Sequence, residues 1–152
     1  MLDSIRDFFD RRIRASAQQP VDDHHAIQLA TAALLVEVAR SDSESTADER
    51  DAVLRAVREK FELSAEEAAR LIELAEAEVR QANDYFQFTS LVNRHFTQQQ
   101  KQRVIELMWQ VAYADAELSA HENHLMRKIA DLLHITHGDY IAAKMRAQQA
   151  AR

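Results

Sequence analysis

Two acidic stretches with one shared pattern, DSESTADE from Asp42 to Glu49 and DAELSAHE from Asp115 to Glu122, decide how this chain folds. They begin 73 residues apart, and both place an acid, a second acid two residues later, a hydroxyl and a final Glu at the same positions. An apolar stretch precedes each copy and an amphipathic stretch follows it. Two copies indicate a duplicated domain and not a solenoid, which needs at least three stacked repeats.

The residues around the two stretches also match. Upstream, the 73-residue shift pairs Leu34 with Leu107, Leu35 with Met108, Val38 with Val111 and Ala39 with Ala112. Downstream, a shift of 72 pairs Val53 with Leu125, Leu54 with Met126, Val57 with Ile129, Phe61 with Leu133, Leu63 with Ile135 and Ser64 with Thr136. We predict that each half is a buried helix, an acidic turn and two further helices, and that the buried helices pack together about a pseudo-twofold axis.

Length and composition predict a helical protein. The chain has 152 residues, of which 47% are apolar, but only one glycine and one proline. Tight β-turns depend on these two residue types, so few can form. We predict an all-α fold, a single-domain bundle of about seven to eight helices built from two repeats, at about 24–81 and 97–145. An amphipathic helix at 1–16 precedes this domain, which spans 17–152.

Composition also excludes several classes of function. The absence of cysteine excludes thiol chemistry, zinc–thiolate sites and iron–sulfur clusters. A formal net charge of −6 argues against nucleic-acid binding, which needs a clustered basic face. No nucleophile elbow, phosphate loop or HExxH motif occurs, so we predict that the protein is not an enzyme. No apolar stretch approaches the roughly 20 residues that span a bilayer and no signal-peptide pattern occurs, so a cytoplasmic location is expected.

The N-terminal helix leaves two interpretations open. Its apolar residues recur every three or four positions and form one face, made of Leu2, Ile5, Phe8, Phe9 and Ile13. This face can pack on the core. Alternatively, residues 1–16 can associate with a membrane surface or a protein partner, which the cluster of Arg11, Arg12 and Arg14 favours.

Four capping boxes mark predicted helix starts. In each, a hydroxyl and, three residues later, a carboxylate or amide satisfy free backbone N–H groups. The boxes are Thr46 with Glu49, Ser64 with Glu67, Thr97 with Gln100 and Ser119 with Glu122. The helix that starts after Ser64 is expected to reach about Gln81, with Ile72 on its inner face and an acidic outer face. The last helix is expected to run from about Thr136 towards Met145, before a fraying tail.

Both acidic stretches can place carboxylates around a cation. Two acids two residues apart at a helix end can point into one concavity, and a third acid on the next helix can close it. The candidate metal ligands are Asp42, Glu44 and Glu49 in the first half and Asp115, Glu117 and Glu122 in the second. Oxygen ligands of this kind suit Ca²⁺ or Mg²⁺. Calcium takes roughly 6–8 oxygens, so backbone carbonyls and water would complete the shell, and we expect weak to moderate affinity.

Helix capping is the alternative explanation for the acids. Glu49 and Glu122 already belong to capping boxes, and a carboxylate near a helix N-terminus stabilises the helix by roughly 0.3–1 kcal/mol without any metal. Capping does not explain Glu44 and Glu117. Both interpretations therefore stay open.

The stretches AALLVEVARSD and ELMWQVAYADAELSAHE resemble the TerB-like tellurite-resistance family, in its branch of mostly uncharacterised bacterial proteins. The resemblance covers about Ala26 to Met145. It implies an all-helical duplicated domain with acids at related turns, proposed to bind divalent cations, and a role linked to stress response and membrane-associated complexes. Asp115, Glu117 and Glu122 match the family most closely, and the acids of the first half take the same places. The chain departs from the family at the residue after each first Asp, where glycine is common.

Two functions from different classes follow. In the first, the protein is an accessory factor that binds or senses a divalent cation at the acidic turns. In the second, it is a helical interaction module that binds a partner protein through the acidic face of residues 64–81 or through its first helix, and the turns only cap helices. Only the first requires that added divalent ions stabilise the fold.

Overall fold

The computed structural model describes residues 7–11, 24–41, 46–77, 86–114 and 123–150. The regular structure in these ranges is helical throughout, which confirms the prediction of an all-α fold. The helices are α1 (described part, residues 7–11), α2 (His24–Ser41), α3 (Ala47–Lys60), α4 (Ala65–Glu76), α5 (Gln87–His95), α6 (Gln98–Ala114), α7 (Asn123–Leu132) and α8 (His137–Ala150).

The two central helices, α2 and α6, form the middle of the bundle. α2 contacts α3, α4, α5, α6 and α7, and α6 contacts α2, α3, α7 and α8. From Ala26 to Ala39, every residue of α2 except Gln28 is buried, because apolar side chains occupy nearly its whole circumference. The predicted packing of the two central helices on each other is therefore confirmed.

Positions that the two sequence shifts pair have matching environments. The eight upstream residues are all buried, and among the downstream apolar residues only Leu54 is partly exposed. Each central helix also contacts the second helix of the other half, since α2 contacts α7 and α6 contacts α3. The duplication and the pseudo-twofold axis themselves, and the division into 1–16 and 17–152, stay predictions.

Helices α3 and α7 end in the same way, at positions that the 72-residue shift pairs. Glu62 and His134 follow the two helices and have left-handed backbone, with φ of 50° and 60°. In both turns an N–H reaches back five residues to a carbonyl, which is the Schellman arrangement. These bonds join Leu63 N to Arg58 O at 3.2 Å and Ile135 N to Ala130 O at 2.9 Å.

Two of the predicted capping boxes are confirmed. The Glu67 N–H donates to Ser64 Oγ at 3.1 Å, and the Ser64 N–H donates to Glu67 Oε1 at 2.9 Å. At the start of α6, Thr97 and Gln100 exchange the same pair of bonds at 3.1 and 2.9 Å. The box of Thr46 with Glu49 involves a side chain outside the described part, and so does the box of Ser119 with Glu122.

Three expectations about α4 and α8 were wrong. α4 ends at Glu76 and not near Gln81, because Ala77 is extended (φ −64°, ψ 135°) and the carbonyl of Leu74 accepts from the Ala77 N–H at 3.3 Å. Ile72 is 41% exposed, whereas its neighbour Leu71 is buried, so Ile72 does not belong to the inner face of α4. The expected fraying tail is helical to Ala150, because Ala147 is buried in the core.

The described part of α1 packs on the core. Phe9 is fully buried, and its ring lies edge-on to that of Phe88, with centroids 5.1 Å apart. Phe8 is partly buried, with the guanidinium carbon of Arg70 5.7 Å from its ring centroid. These contacts support the core-packing interpretation, and membrane association of residues 1–16 stays a prediction. Every helix in the described ranges is too short or too polar to cross a bilayer.

Candidate functional site

The structure does not describe the predicted metal ligands in full. Asp42, Glu44, Asp115, Glu117 and Glu122 lie outside the described residues, and of Glu49 only the backbone, in the first turn of α3, is described. The structure therefore does not test this set of ligands. It does define the helices between which each acidic stretch lies.

Both acidic stretches connect the C-terminal end of a central helix to the N-terminal end of the next helix. Residues 42–45 follow Ser41 of α2 and precede α3, and residues 115–122 follow Ala114 of α6 and precede α7. A helix C-terminus leaves carbonyl oxygens without intrahelical partners, and these attract cations, whereas the N–H groups of a helix N-terminus attract carboxylates. Each acidic stretch therefore follows a helix end that offers carbonyl oxygens and precedes a helix start that favours acids.

Packing fixes the helices on both sides of each stretch. α3 contacts both α2 and α6, and α7 likewise contacts both. The helices on both sides of each stretch are therefore held by the core. Within the ranges that the structure describes, no group of three or more His, Asp or Glu side chains lies close enough to hold a metal elsewhere.

Glu37 is a buried carboxylate that sequence reasoning missed. It is fully buried in α2 and binds the N-terminus of α5, which lies 51 residues later in the sequence. Its Oε1 and Oε2 each accept from the Phe88 N–H at 3.1 Å, and Oε2 also accepts from the Thr89 N–H at 3.1 Å and from Thr89 Oγ1 at 3.2 Å. Phe86, the N-cap residue of α5, has left-handed backbone, and its side chain makes no capping hydrogen bond. Glu37 therefore serves as the cap of α5.

Burial raises the pKa of Glu37 above its ordinary value of 4.5. The hydrogen bonds from Phe88 and Thr89 and the charge of Arg40 act in the opposite direction but do not cancel the effect of burial. The sequence signal for this residue was that Glu37 is the only acid of α2 and lies within its apolar stretch. Its role is to hold α5, the helix between the two halves, against α2.

Glu67 is a second buried carboxylate, and it connects two helix starts. Besides closing its capping box, it accepts from His25 Nε2, with distances of 3.1 Å to Oε1 and 2.9 Å to Oε2. Burial alone would raise the pKa of Glu67, but the bond from the Ser64 backbone and the interactions with His25 outweigh it and hold the pKa below 4.5. His25 Nδ1 lies 3.2 Å from Gln28 Oε1, which orients the ring.

We expect Glu67→Gln to cost stability at neutral pH but much less in acid. Glutamine keeps the capping box, as Gln100 shows, but it removes the charge and places an amide nitrogen where the second carboxylate oxygen faces His25. Because the folded-state pKa of Glu67 is lowered, its contribution is present above pH 4.5 and is lost as the pH falls through the lowered value. Urea unfolding of both proteins between neutral pH and acid measures the difference. A difference that does not change with pH would contradict the assignment.

The comparison with protein families agrees with the fold. The family model described as tellurite resistance protein TerB matches residues 28–145. This range starts within α2 and ends within α8, so it includes both central helices and both acidic stretches. No curated protein and no solved structure matches the chain. Since the match covers well over half of the sequence, the chain belongs to the TerB tellurite-resistance family.

Proposed function

We propose that this TerB-family protein is a non-catalytic accessory factor in the response to tellurite or related stress, and that it binds a divalent cation at its two acidic stretches. One observation carries the proposal. The same three acids recur in both halves, each time between the C-terminal end of a buried central helix and a helix that packs on both central helices. Helix capping accounts for only one acid of each set.

The chemistry of the ligands favours Ca²⁺ or Mg²⁺. Asp42, Glu44 and Glu49 would supply carboxylate oxygens in the first half, and Asp115, Glu117 and Glu122 in the second. Carbonyl oxygens at the ends of α2 and α6 and water would complete each shell. With so few carboxylates, affinities of about 10⁻⁴–10⁻³ M are expected, as in weak calcium modules. A bound ion would tie the end of a central helix to the start of the next and so alter the surface that a partner protein meets.

We expect Ca²⁺ or Mg²⁺ to stabilise the metal-stripped protein. An ion that binds only the folded chain at one site contributes RT ln(1 + [L]/Kd), which is about 2.7 kcal/mol at 100 times Kd. Thermal unfolding measures this gain, and NMR titration of the backbone amides locates it. Saturable shifts should be confined to the neighbourhoods of residues 42–49 and 115–122, and Asp115→Ala with Glu117→Ala should abolish those of the second half only.

A matched control separates a site from general charge effects. Glu59→Ala with Glu76→Ala removes two exposed acids from α3 and α4, at a distance in sequence from both stretches. This variant should bind the ion as the unmodified protein does. If no saturable shift appeared in the tens of millimolar ion, or if the control lost binding equally, the acids would be helix caps alone. The protein would then be better described as a helical module that binds a partner protein through its acidic face or its first helix.

A further inference from the structure

A surface cavity of about 580 Å³ lies where the first turns of α2 and α6 meet the last part of α8. Its polar lining includes His24 from α2, Gln99, Gln102, Arg103 and Glu106 from α6, and Arg146 from α8. The lining residues that the structure describes all lie outside the two acidic stretches. Its volume is within the range of roughly 300–1,000 Å³ that is usual for small-molecule sites.

Two guanidinium groups share one carboxylate in this cavity. Glu106 Oε1 accepts from Arg103 Nη1 at 3.0 Å, and Glu106 Oε2 accepts from Arg146 Nε at 3.1 Å. Glu106 is largely buried, with 14% of its side chain exposed, whereas the arginine side chains are 39% and 47% exposed. The buried carboxylate therefore holds two arginines in place while both remain open to solvent.

Both arginines keep donors for a ligand. Each guanidinium has five N–H groups, and among the described residues each has Glu106 as its only hydrogen-bonding partner. The described residues of the lining carry two positive charges and one negative charge, in a chain whose formal net charge is −6. Asp139 accepts a bond from Gln102 Nε2 at 3.0 Å but does not line the cavity. The local excess of positive charge is thus opposite in sign to the chain as a whole.

The N-terminal end of α6 adds to this positive potential. The cavity includes residues from the first turn of α6, which has no acid there to offset the positive end of its dipole. The side-chain amide of Gln99 and the imidazole ring of His24 add further hydrogen-bond donors. Planar guanidinium groups with several free N–H groups match the oxygens of phosphate and related oxyanions.

We propose that this cavity binds the phosphate group of a small molecule, held between Arg146 and Arg103. The volume exceeds that of a single oxyanion and leaves room for the rest of such a ligand. The proposal is independent of cation binding, because its residues lie on α2, α6 and α8 outside both acidic stretches. Glu106 acts as a positioning residue that fixes the two arginines and lowers the net charge of the site.

Titration of the full chain with glycerol 3-phosphate, inorganic phosphate, sulfate and tellurite, at constant ionic strength, tests the proposal. We expect saturable NMR shifts of the Gln99 and Gln102 amides. Arg146→Gln should weaken glycerol 3-phosphate binding about tenfold, which is the loss of one charge-assisted hydrogen bond. Glu106→Gln should strengthen binding several-fold, because it removes the only negative charge among the described residues of the lining. A cluster that served stability alone would show no such gain.

The control is Arg58→Gln, which removes an exposed arginine from α3. It should leave binding unchanged. Tighter binding of glycerol 3-phosphate than of inorganic phosphate supports a phosphorylated small molecule as the ligand. If inorganic phosphate or tellurite binds as tightly, the site recognises the free oxyanion, and the assignment of a small-molecule ester is wrong. Lack of saturation in the tens of millimolar for every probe, or equal weakening by Arg58→Gln, would overturn the site altogether.

Discussion

Replacing Glu37 with alanine is expected to lower the free energy of unfolding by about 3 kcal/mol, because buried donors that lose their only acceptor cost roughly 1–3 kcal/mol each. The N–H groups of Phe88 and Thr89 both donate to Glu37, and both residues are buried, so water cannot replace the carboxylate. Removing a charged group from the core returns part of this cost. Urea unfolding at constant pH measures the loss.

Glu37→Gln is the matched control, since its amide oxygen can still accept from both N–H groups. It should cost much less than the alanine variant. Because glutamine does not titrate, comparing this variant with the unmodified protein also isolates the pH dependence of stability that Glu37 causes. Because the folded-state pKa is raised, the contribution of Glu37 relative to glutamine is fully present below pH 4.5 and is lost as the pH rises through the raised value. The opposite pH dependence, or equal losses for both variants, would show that Glu37 does not act as the cap of α5.

Replacing Phe9 with alanine is expected to cost about 3 kcal/mol, at the low end of the range for buried phenylalanines because a terminal helix can detach without leaving a cavity. Phe9 is fully buried, and its edge-on contact with Phe88 adds to its burial. Thermal or urea unfolding of the full chain measures the loss. The NMR signals of the backbone amides at the start of α5 should also shift in the Phe9→Ala variant, because Phe88 loses its contact with Phe9.

Phe8→Ala is the control for Phe9→Ala, and it also separates the two interpretations of the first helix. Phe8 is only partly buried, so its removal should cost less than half as much. Both variants should bind anionic vesicles as the unmodified protein does. If instead Phe9→Ala left stability unchanged and weakened vesicle binding, the helix would be a membrane-binding arm.

Most of the fold could be predicted from the sequence because its signals are local. Capping boxes depend on residues three positions apart, and Ser64 with Glu67 and Thr97 with Gln100 pair as expected. The central helices were recognisable because apolar side chains cover nearly the whole circumference of each helix. The end of α4 at Glu76 was not, since the turn at Ala77 has no glycine or proline to mark it. Left-handed backbone at Glu62 and His134 likewise had no signal, because glycine or asparagine is usual there.

The candidate sites were harder to predict, for a physical reason. Arg103 and Arg146 meet at Glu106 only because α8 packs along α6, and they are 43 positions apart in sequence. The periodicity of apolar residues within one helix cannot predict a contact between side chains of two different helices. The acidic stretches were recognisable because they repeat, but repetition preserves structural and functional residues alike. Their chemistry therefore depends on the titration and not on the pattern.

The cap that Glu37 gives to α5 has a consequence for the order in which the chain folds. α5 has nine residues, and isolated helices shorter than about 12–15 residues are marginal in water. The left-handed backbone of Phe86, just before α5, costs a further ~1–2 kcal/mol. The cap, Glu37, lies 51 residues before Phe88, so forming it also requires the closure of a long loop. We therefore expect α5 to form only after α2 has brought Glu37 into position, so that the joint between the two halves forms late in folding and does not nucleate it.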